Sequence, residues 1–411
     1  MALGTPQSYR GECKLPAGKL TAVTIRLQRG PGLSDQPSIG SCRINGDFFL
    51  EDDSGHSSLI GDLEQALLAM APPVAERAVE GKLSGLIAAH PGSHLIGANA
   101  HTLTVAYIRA LRLAGLQPAD AAPPRRRPPR PSGFVRVQDL DSYRVDDLMD
   151  RWRRLPLRIC VDTPRPPAEQ AALDLALTEA VRDRVEPATL RIWNLSSPAV
   201  MIGRFQSLYS EVDTRQARRM GVRVVRRVTG GGAMFAWPSD VITYSLSLPS
   251  EFAHGLERSW TYRLNDLWLL EGLGHLGVES GWSGMNDIAS PNGKIGGAAQ
   301  RWLPAAGKRS GAILHHTMLS YRIDAGAMSR VLNVSPEKLS DKAVRSVQAR
   351  VDPLASRTTL GRAQLTDALL ANLMAMSPRA TLAQLGSGVV SRGRELASER
   401  FAQEDWTTSI V

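Results

Sequence analysis

Only three cysteines occur in 411 residues, Cys13, Cys42 and Cys160, and no two form a Cys-x-x-Cys pair. That scarcity excludes a disulfide scaffold and a zinc ribbon. Long apolar runs are also missing: none reaches the ~18–20 residues of a membrane span. The start, Met1-Ala2-Leu3-Gly4-Thr5-Pro6-Gln7, lacks a basic stretch followed by an apolar core, so it does not read as a secretory signal. A cytoplasmic protein with no membrane partner is expected. The sharpest scarcity is of lysine. Between Lys82 and Lys308 the sequence has arginine almost everywhere and a single lysine, Lys294.

A hydrophobic content of 43% and a charged content of 22% are those of a soluble globular protein. The length allows two or three domains with their own cores. A net charge of +9 points to acidic partners: a phosphate-bearing ligand, an acidic protein or nucleic acid.

The first 116 residues read as a small α+β domain. Val23, Ile25 and Leu27 alternate with Thr24, Arg26 and Gln28, which is strand periodicity. Ser41–Ile44 leads into Asn45-Gly46-Asp47, a tight-turn signal, and then Phe48-Phe49-Leu50. Ser57 is positioned to cap a helix with Leu59, Leu63 and Leu67 on one face. Two more helical patterns follow near Val74–Ala89 and Ala100–Ala114. Residues 117–150 contain Ala122-Pro123-Pro124-Arg125-Arg126-Arg127-Pro128-Pro129-Arg130-Pro131 and read as an interdomain linker, extended by proline and self-repelling charge. No aromatic residues interleave with its arginines, so nucleic acid is not expected as a partner.

From 151 to 378 a second domain is predicted, followed by a tail over 379–411. Leu173, Leu177, Ala180 and Val181 recur at helical spacing. Strands are predicted at Leu190–Trp193, Ala199–Ile202, Val222–Arg226 and Val241–Leu246, and helices around Ser259–Leu273 and Gln364–Met374. Several connections between strands are too short for parallel crossovers. The expected fold class is α+β, a mostly antiparallel sheet flanked by helices.

Two glycine clusters stand out in this domain. Arg226-Arg227-Val228-Thr229-Gly230-Gly231-Gly232-Ala233-Met234-Phe235 follows a predicted strand, and Asn292-Gly293-Lys294-Ile295-Gly296-Gly297-Ala298-Ala299-Gln300 surrounds the isolated lysine. Either is a bend between strands, or the pair cradles an anion with bare backbone N–H groups and fixed cations. Neither matches a Walker A loop or the dinucleotide fingerprint. Asn286 and Asp287, just upstream, hold a hydroxyl or amine, help hold a magnesium ion, or cap a turn. His315 and His316 are adjacent, so on a strand they face opposite ways and do not chelate one metal together. They are structural or line a ligand. Cys160 lies in the apolar stretch Leu157–Val161 as a buried strand residue, leaving no thiol downstream for an acyl-enzyme.

In this order the motifs resemble the lipoate–protein ligase catalytic domain, a relative of the biotin–protein ligases with a class II aminoacyl-tRNA synthetase-like fold. The resemblance runs through Leu173–Val181, Val200–Gln206, Arg226–Phe235, Asn286-Asp287-Ile288, Gly293-Lys294-Ile295 with Ala299-Gln300, and His315-His316. It ends with Leu332-Asn333, Glu337-Lys338-Leu339, Lys342, Ser346-Val347 and Arg350-Val351. Ile44-Asn45-Gly46-Asp47-Phe48-Phe49 and the helices after it resemble the family's accessory domain, here placed before the catalytic domain instead of after it.

The resemblance implies a two-step reaction. Lipoate attacks the α-phosphate of Mg-ATP to give lipoyl-AMP and pyrophosphate, and a lysine of an acceptor then displaces AMP. The implied acceptor is a lipoyl domain or an H-protein-like carrier, and the chain is expected to act as a monomer. Lys294 is implied to bind the α-phosphate and carboxyl oxygens. Arg227, Thr229, Gly230, Gly231, Gly232, Ala233 and His316 are implied to line the lipoate and adenylate pocket. Asn286, Asp287, Gly297, Ala298 and Ala299 are placed on the nucleotide side, with Asp287 also near the Mg2+. Phe205 and Met234 are implied to suit the lipoyl tail. The accessory domain is implied in the adenylation half and in large rotations between steps.

Four positions depart from the family pattern. Ala236 and Trp237 replace a His-Asp pair, Gly296 a serine and Thr317 a glycine. Octanoyl transfer, transfer from preformed lipoyl-AMP, and lipoate binding without catalysis are the competing readings on the same fold.

Overall fold

The computed structural model describes residues 7–14, 18–28, 38–52, 57–118, 134–307, 310–333 and 351–410. The Pro/Arg run at 122–131 and the motif residues Glu337, Lys338, Leu339, Lys342, Ser346, Val347 and Arg350 lie outside them.

The alternation at Val23 and Ile25 becomes strand β2 (Thr21–Gln28), between β1 (Ser8–Cys13) and β3 (Ser38–Gly46) in one antiparallel sheet. Val23 and Ile25 are buried while Arg26 is exposed, as a period of two requires. Asn45 and Gly46 stay in the ladder opposite Ala22 and Thr21. The turn signal therefore marks a departure from the sheet and not a hairpin. The chain leaves at Asp47 into β4 (Phe49–Asp52), which pairs with β5 (Ser93–Ile96). Helix α1 (Leu59–Leu68) covers β3 and α3 (Ala100–Leu113) covers β1 and β2, with α2 (Glu76–Ala88) against both helices. Leu59, Leu63 and Leu67 are fully buried, and Ser57 Oγ accepts from Leu59 N–H at 3.2 Å. Asn99 and Thr102 close a reciprocal capping box on α3.

The second unit is built on an eight-stranded sheet. Its order is β12 (Gly281–Ser283), β13 (Asp287–Ser290), β14 (Gly293–Leu303), β15 (Ala312–Ser320), β11 (Val241–Pro249), β7 (Thr189–Trp193), β6 (Arg158–Val161) and β16 (Thr381–Leu382). All pairings from β12 to β7 are antiparallel; those of β6 with β7 and β16 are parallel. The mostly antiparallel α+β class is the observed one. Ile242, Tyr244, Leu246 and Leu248 of β11 pack under α4 (Ser142–Arg154), α8 (Arg258–His275) and the helix Arg362–Met376. Leu314 of β15 packs on the opposite face, under α5 (Pro167–Arg182) and the helix Ser387–Leu396. Helices on both faces explain why eight of the nine residues of β11 are buried.

A smaller sheet, β10 (Met234–Ala236), β8 (Ala199–Ile202) and β9 (Arg223–Arg226), carries the glycine loop between β9 and β10. The short helices α6 (Leu208–Glu211), α7 (Thr214–Arg219) and α9 (Ala325–Val331) pack beside it.

Helix α4 falls within the stretch expected as a linker. Its Leu148 and Trp152 enter the large core, and the Trp152 indole donates to Leu264 O at 2.9 Å. The segment expected as a tail is likewise ordered. Arg226 donates to Trp406 O at 3.1 Å, Thr407 O at 2.7 Å and Ile410 O at 3.2 Å, and also to Gly203 O, Arg204 O and Gln206 O.

Candidate active site

The glycine loop is stapled from within. The guanidinium of Arg227 is buried and donates to Met201 O at 2.7 Å, Gly230 O at 2.7 Å and Gly232 O at 2.9 Å, and its Nε donates to Thr229 Oγ1 at 3.0 Å. Burial pulls its pKa down to about 10, so it remains a cation at neutral pH. Arg227, expected to line the ligand pocket, fixes the shape of the glycine loop through these bonds. Gly231 sits at φ 89°, in the region that glycine enters freely. At Gly230 a Cβ would lie 2.5 Å from Phe48 O, so this position admits no side chain while the N-terminal unit is docked.

From Thr229 a chain of hydrogen bonds runs into the core. Thr229 Oγ1 lies 2.8 Å from His316 Nε2, and His316 Nδ1 lies 2.8 Å from Asp174 Oδ2. Arg191 donates to the other oxygen of Asp174 at 2.5 Å. The donors fix the direction. The Asp174 carboxylate can only accept, so Nδ1 of His316 carries the hydrogen, and the neutral ring leaves Nε2 to accept from the Thr229 hydroxyl. Burial, the largest influence, holds the pKa of His316 below the ordinary imidazole value even though Asp174 pulls the other way. Burial would raise the pKa of Asp174, but Arg191 and His316 together hold it below the usual carboxylate range.

His315 points to the other face of β15 as expected. It meets Asp266 of α8 at 2.9 Å, and Tyr244 and Thr317 donate to the same oxygen. Thr317, one of the departures, thus belongs to this core network on the face away from His316. Two further departures are also packing features. Ala236 is buried under α5, and the Trp237 ring lies 5.8 Å from that of Phe235. A Cβ at Gly296 would come within 2.4 Å of Met318 O, leaving no room for a serine there.

Lys294 emerges from β14 half-exposed, and its Nζ donates to Asp287 Oδ1 at 2.8 Å across the β13–β14 ladder. The ammonium passes over Gly297, where a Cβ would be 3.0 Å away. Asn286 is held by two bonds to Ala298: its side chain donates to Ala298 O, and its carbonyl accepts from Ala298 N–H at 2.7 Å. Ala299 stands opposite His316 in the neighbouring ladder. Asn286, Asp287, Lys294, Gly297 and Ala298 therefore form one cluster. Among the described residues no group of three donors is set to hold a metal ion. Asp287, the carboxylate expected near magnesium, is paired with Lys294.

The N-terminal unit joins the two loops. Phe49 packs against Gly230 and Gly231, and Lys19 reaches from the same unit to Asn286 Oδ1 while lying 5.6 Å from the Phe49 ring. Gly46 N–H donates to Phe205 O, Gln206 Nε2 donates to Asp47 Oδ1, and Arg258 pairs with the fully buried Glu51 at 3.2 Å. Phe205, expected against a lipoyl tail, stacks on Phe48 at 5.0 Å and enters the N-terminal core. Met234 is partly buried beneath α5.

Sequence reasoning passed over Asp174, Lys19 and Asp47. Asp174 was visible as a carboxylate inside the otherwise apolar stretch Ala171–Leu177. Gly18-Lys19-Leu20 also echoes Gly293-Lys294-Ile295.

A mostly antiparallel sheet with helices on both faces, a glycine loop over one end and a lysine on a central strand define the biotin/lipoate ligase catalytic fold. The sequence profile described as the Lipoyl protein ligase A/B catalytic domain matches residues 166–374, just over half of the chain, and the chain belongs to that family. It is 29% identical over 271 residues to the octanoyltransferase LipM of Symbiobacterium thermophilum, covering 59% of this chain and 94% of that protein. It is 29% identical over 185 residues to the lipoate-protein ligase A of Blochmanniella pennsylvanica, covering 43% of this chain and 50% of that protein. Among solved structures, the bipartite lipoate protein ligase of Thermoplasma acidophilum, studied with its E2 lipoyl domain, aligns with a TM-score of 0.53 at 24% identity, over 62% of this chain and 96% of that one. A lipoate-protein ligase A bound with ATP aligns with a TM-score of 0.51 at 20% identity, over 62% of this chain and 99% of that one. These last two likenesses concern the fold.

Proposed function

We propose that this chain is an ATP-dependent lipoate–protein ligase. Within the family the alternatives divide by how the acyl group is activated. Transfer from an acyl carrier through an acyl-enzyme needs a thiolate at the site. All three cysteines are buried and none is in a disulfide: Cys13 and Cys42 in the N-terminal core, Cys160 on β6. Strands β7 and β11 separate β6 from β15 and β14. Burial raises the pKa of the Cys160 thiol and pushes that of Cys42 up to about 12, the opposite of an activated nucleophile. This absence of an accessible thiol is the observation on which the reading rests.

Adenylation needs no enzyme nucleophile. One lipoate carboxylate oxygen attacks the α-phosphorus of ATP, forming the mixed anhydride, and the bond to the β-phosphate breaks to release pyrophosphate. Lys294 stands where an ammonium can neutralise the α-phosphate and the carboxyl oxygen, stabilising the charge that builds there. Its bond to Asp287 keeps the flexible side chain over Gly297 before substrate arrives. The loop Thr229–Ala233, shaped by Arg227, lines the acyl side with His316 behind it. In the second half an acceptor lysine attacks the anhydride carbon and AMP leaves, again next to Lys294. Magnesium, when present, would be carried mainly on the phosphates, with Asp287 as the protein carboxylate nearest to it. The acceptor is a lipoyl domain or H-protein-like carrier, and a net charge of +9 suits an acidic acceptor surface.

The likeness to an octanoyltransferase over 94% of that protein supports the second reading, acyl transfer without ATP. Lipoate-dependent ATP–pyrophosphate exchange with no acceptor present separates the two. Exchange that requires lipoate establishes the ligase. Its absence, together with acceptor modification from an octanoyl carrier or from prepared lipoyl-AMP, assigns the chain to the transferases.

A further inference from the structure

Lys294 is aimed by an irregularity in its own strand. Asp287 pairs with Gly297 and Ile288 with Gly296, but Ala289 pairs with Lys294, so Ile295 is an extra residue in β14. Paired residues share a face, and faces alternate along a strand. In a regular ladder Ala289 would meet Ile295, and Lys294 would face away from Gly297. The bulge turns Lys294 to the face of Asp287 and Gly297, while Ile295 stays in the large core. A bulge interrupts the ladder and bends its strand, so β13 alone does not fix the direction of this lysine.

Support comes from the opposite edge. The ladder of β14 with β15 ends at Gly296, and Val351-Asp352 takes up pairing further along the strand. Val351 bridges Lys294 in parallel, and Asp352 N–H donates to Lys294 O at 2.8 Å. The buried side chain of Asp352 then reaches the turn between β13 and β14. One carboxylate oxygen accepts from Ser290 Oγ, and from Arg357 Nε at 2.7 Å; the other accepts from Ser356 Oγ at 3.0 Å. Ser290 Oγ in turn accepts from Asn292 N–H at 3.1 Å, and Ser290 pairs with Gly293. Burial would raise the pKa of Asp352, but Arg357, Ser290 and Ser356 hold it below the usual carboxylate range. One ionised residue therefore grips the main chain of Lys294 and the turn from which that lysine emerges.

We propose that Asp352 is a positioning residue for Lys294: it braces the bulge that sets the ammonium over Gly297. The role rests on the adenylate-forming reaction proposed above, in which Lys294 meets the α-phosphate. Asp352 acts through the lysine and not on the substrate.

The test uses the full chain with Asp352→Asn, which keeps the shape and turns one acceptor into a donor, and with Ser290→Ala, which cuts the link to the turn and leaves Arg357 and Ser356 in place. Each is made in the parent and in Lys294→Ala, and kcat and KM are read from lipoate-dependent ATP–pyrophosphate exchange. Misplacement of the ammonium predicts a kcat about ten- to hundredfold lower, with KM for ATP and for lipoate within about threefold of the parent. In Lys294→Ala no ammonium is left to position, so either change lowers the residual rate by less than about twofold. A parental kcat in both variants overturns the proposal. An equal fall with and without Lys294, the mark of a structural role only, also overturns it, as does a rise in KM alone. If Asp352→Asn fails to fold, Ser290→Ala carries the same comparison. A parent chain without exchange removes the ligase reading instead. The cycle is then read in transfer from prepared lipoyl-AMP, where losses independent of Lys294 overturn the role of Asp352 and a shared loss upholds it.

Discussion

At the residue scale, two cations of the candidate site have different surroundings. Lys294 is half-exposed, paired with one carboxylate and free to exchange that partner for a phosphate. Lys294→Ala is expected to lower exchange by about two to three orders of magnitude, with circular dichroism and melting unchanged. Full activity in a folded variant would remove the lysine from the site. Arg227 is wholly engaged by backbone carbonyls and Thr229. A lysine there cannot reproduce that planar fork, so Arg227→Lys is expected to cost about 2–3 kcal/mol in urea unfolding and to loosen the glycine loop.

His316 gives a pH signature. Its folded pKa lies below the unfolded value, so the unfolded chain takes up the proton first. Stability is full above the ordinary imidazole pKa of about 6.5 and falls as pH drops below it, until the folded histidine also titrates. His316→Gln should flatten the urea midpoint between about pH 7 and 5 relative to the parent. An unchanged slope would mean the histidine is not held neutral. The lysine was legible because its neighbours are arginines. The role of Arg227 was not, because a sequence shows a cation beside glycines without showing that the guanidinium turns inward to their carbonyls.

At the element scale, sequence pattern located β2, β7, β8 and α8 to within about two residues of their ends, whereas β11 runs on past Leu246 to Pro249 and α5 starts at Pro167, six residues before Leu173. Where burial comes from both sides, as in β11, length and β-branched or aromatic content still marked a strand. The boundaries were harder to read. Helix α4 has the sequence Ser142-Tyr143-Arg144-Val145-Asp146-Asp147-Leu148-Met149-Asp150-Arg151-Trp152-Arg153-Arg154, rich in charge after a proline run, and only Leu148 and Trp152 are buried. Two anchors in thirteen residues are a weak periodic signal. The segment after the helix Ser387–Leu396 is similar: it is held largely by Arg226 and Trp406, through contacts between residues 180 apart. Trp406→Ala removes the indole bond to Arg226 O and the stacking against Arg400. It is expected to cost about 2–3 kcal/mol, read from denaturant midpoints.

At the scale of the whole molecule, the N-terminal unit lies directly on the two glycine-rich loops, joined by the Phe48–Phe205 stack, the Glu51–Arg258 pair and Lys19. Glu51 is buried and Arg258 partly so, and Glu51→Ala removes the ion pair that ties β4 to the start of α8 while leaving the arginine stacked on Trp302. The loss is expected to appear as faster amide exchange across β4 and the start of α8, with protection of β11 and β15 unchanged. Exchange that rises uniformly, or nowhere, would count against a local docking role. Sequence patterns suggested two units. They could not show that one residue of the first, Lys19, would reach Asn286 of the second, because that juxtaposition belongs to the docking and not to either chain segment.

The six carbonyls gathered by Arg226 have a practical corollary. Ser409 is exposed and lies beside Ile410, whose carbonyl shares one guanidinium with Gly203, Arg204 and Gln206 at the base of the glycine loop. A fluorophore attached at that serine through an introduced thiol would be tethered to the loop by a single side chain. It would act as a reporter of what the loop does, a listening post some 180 residues away in sequence from the event it detects.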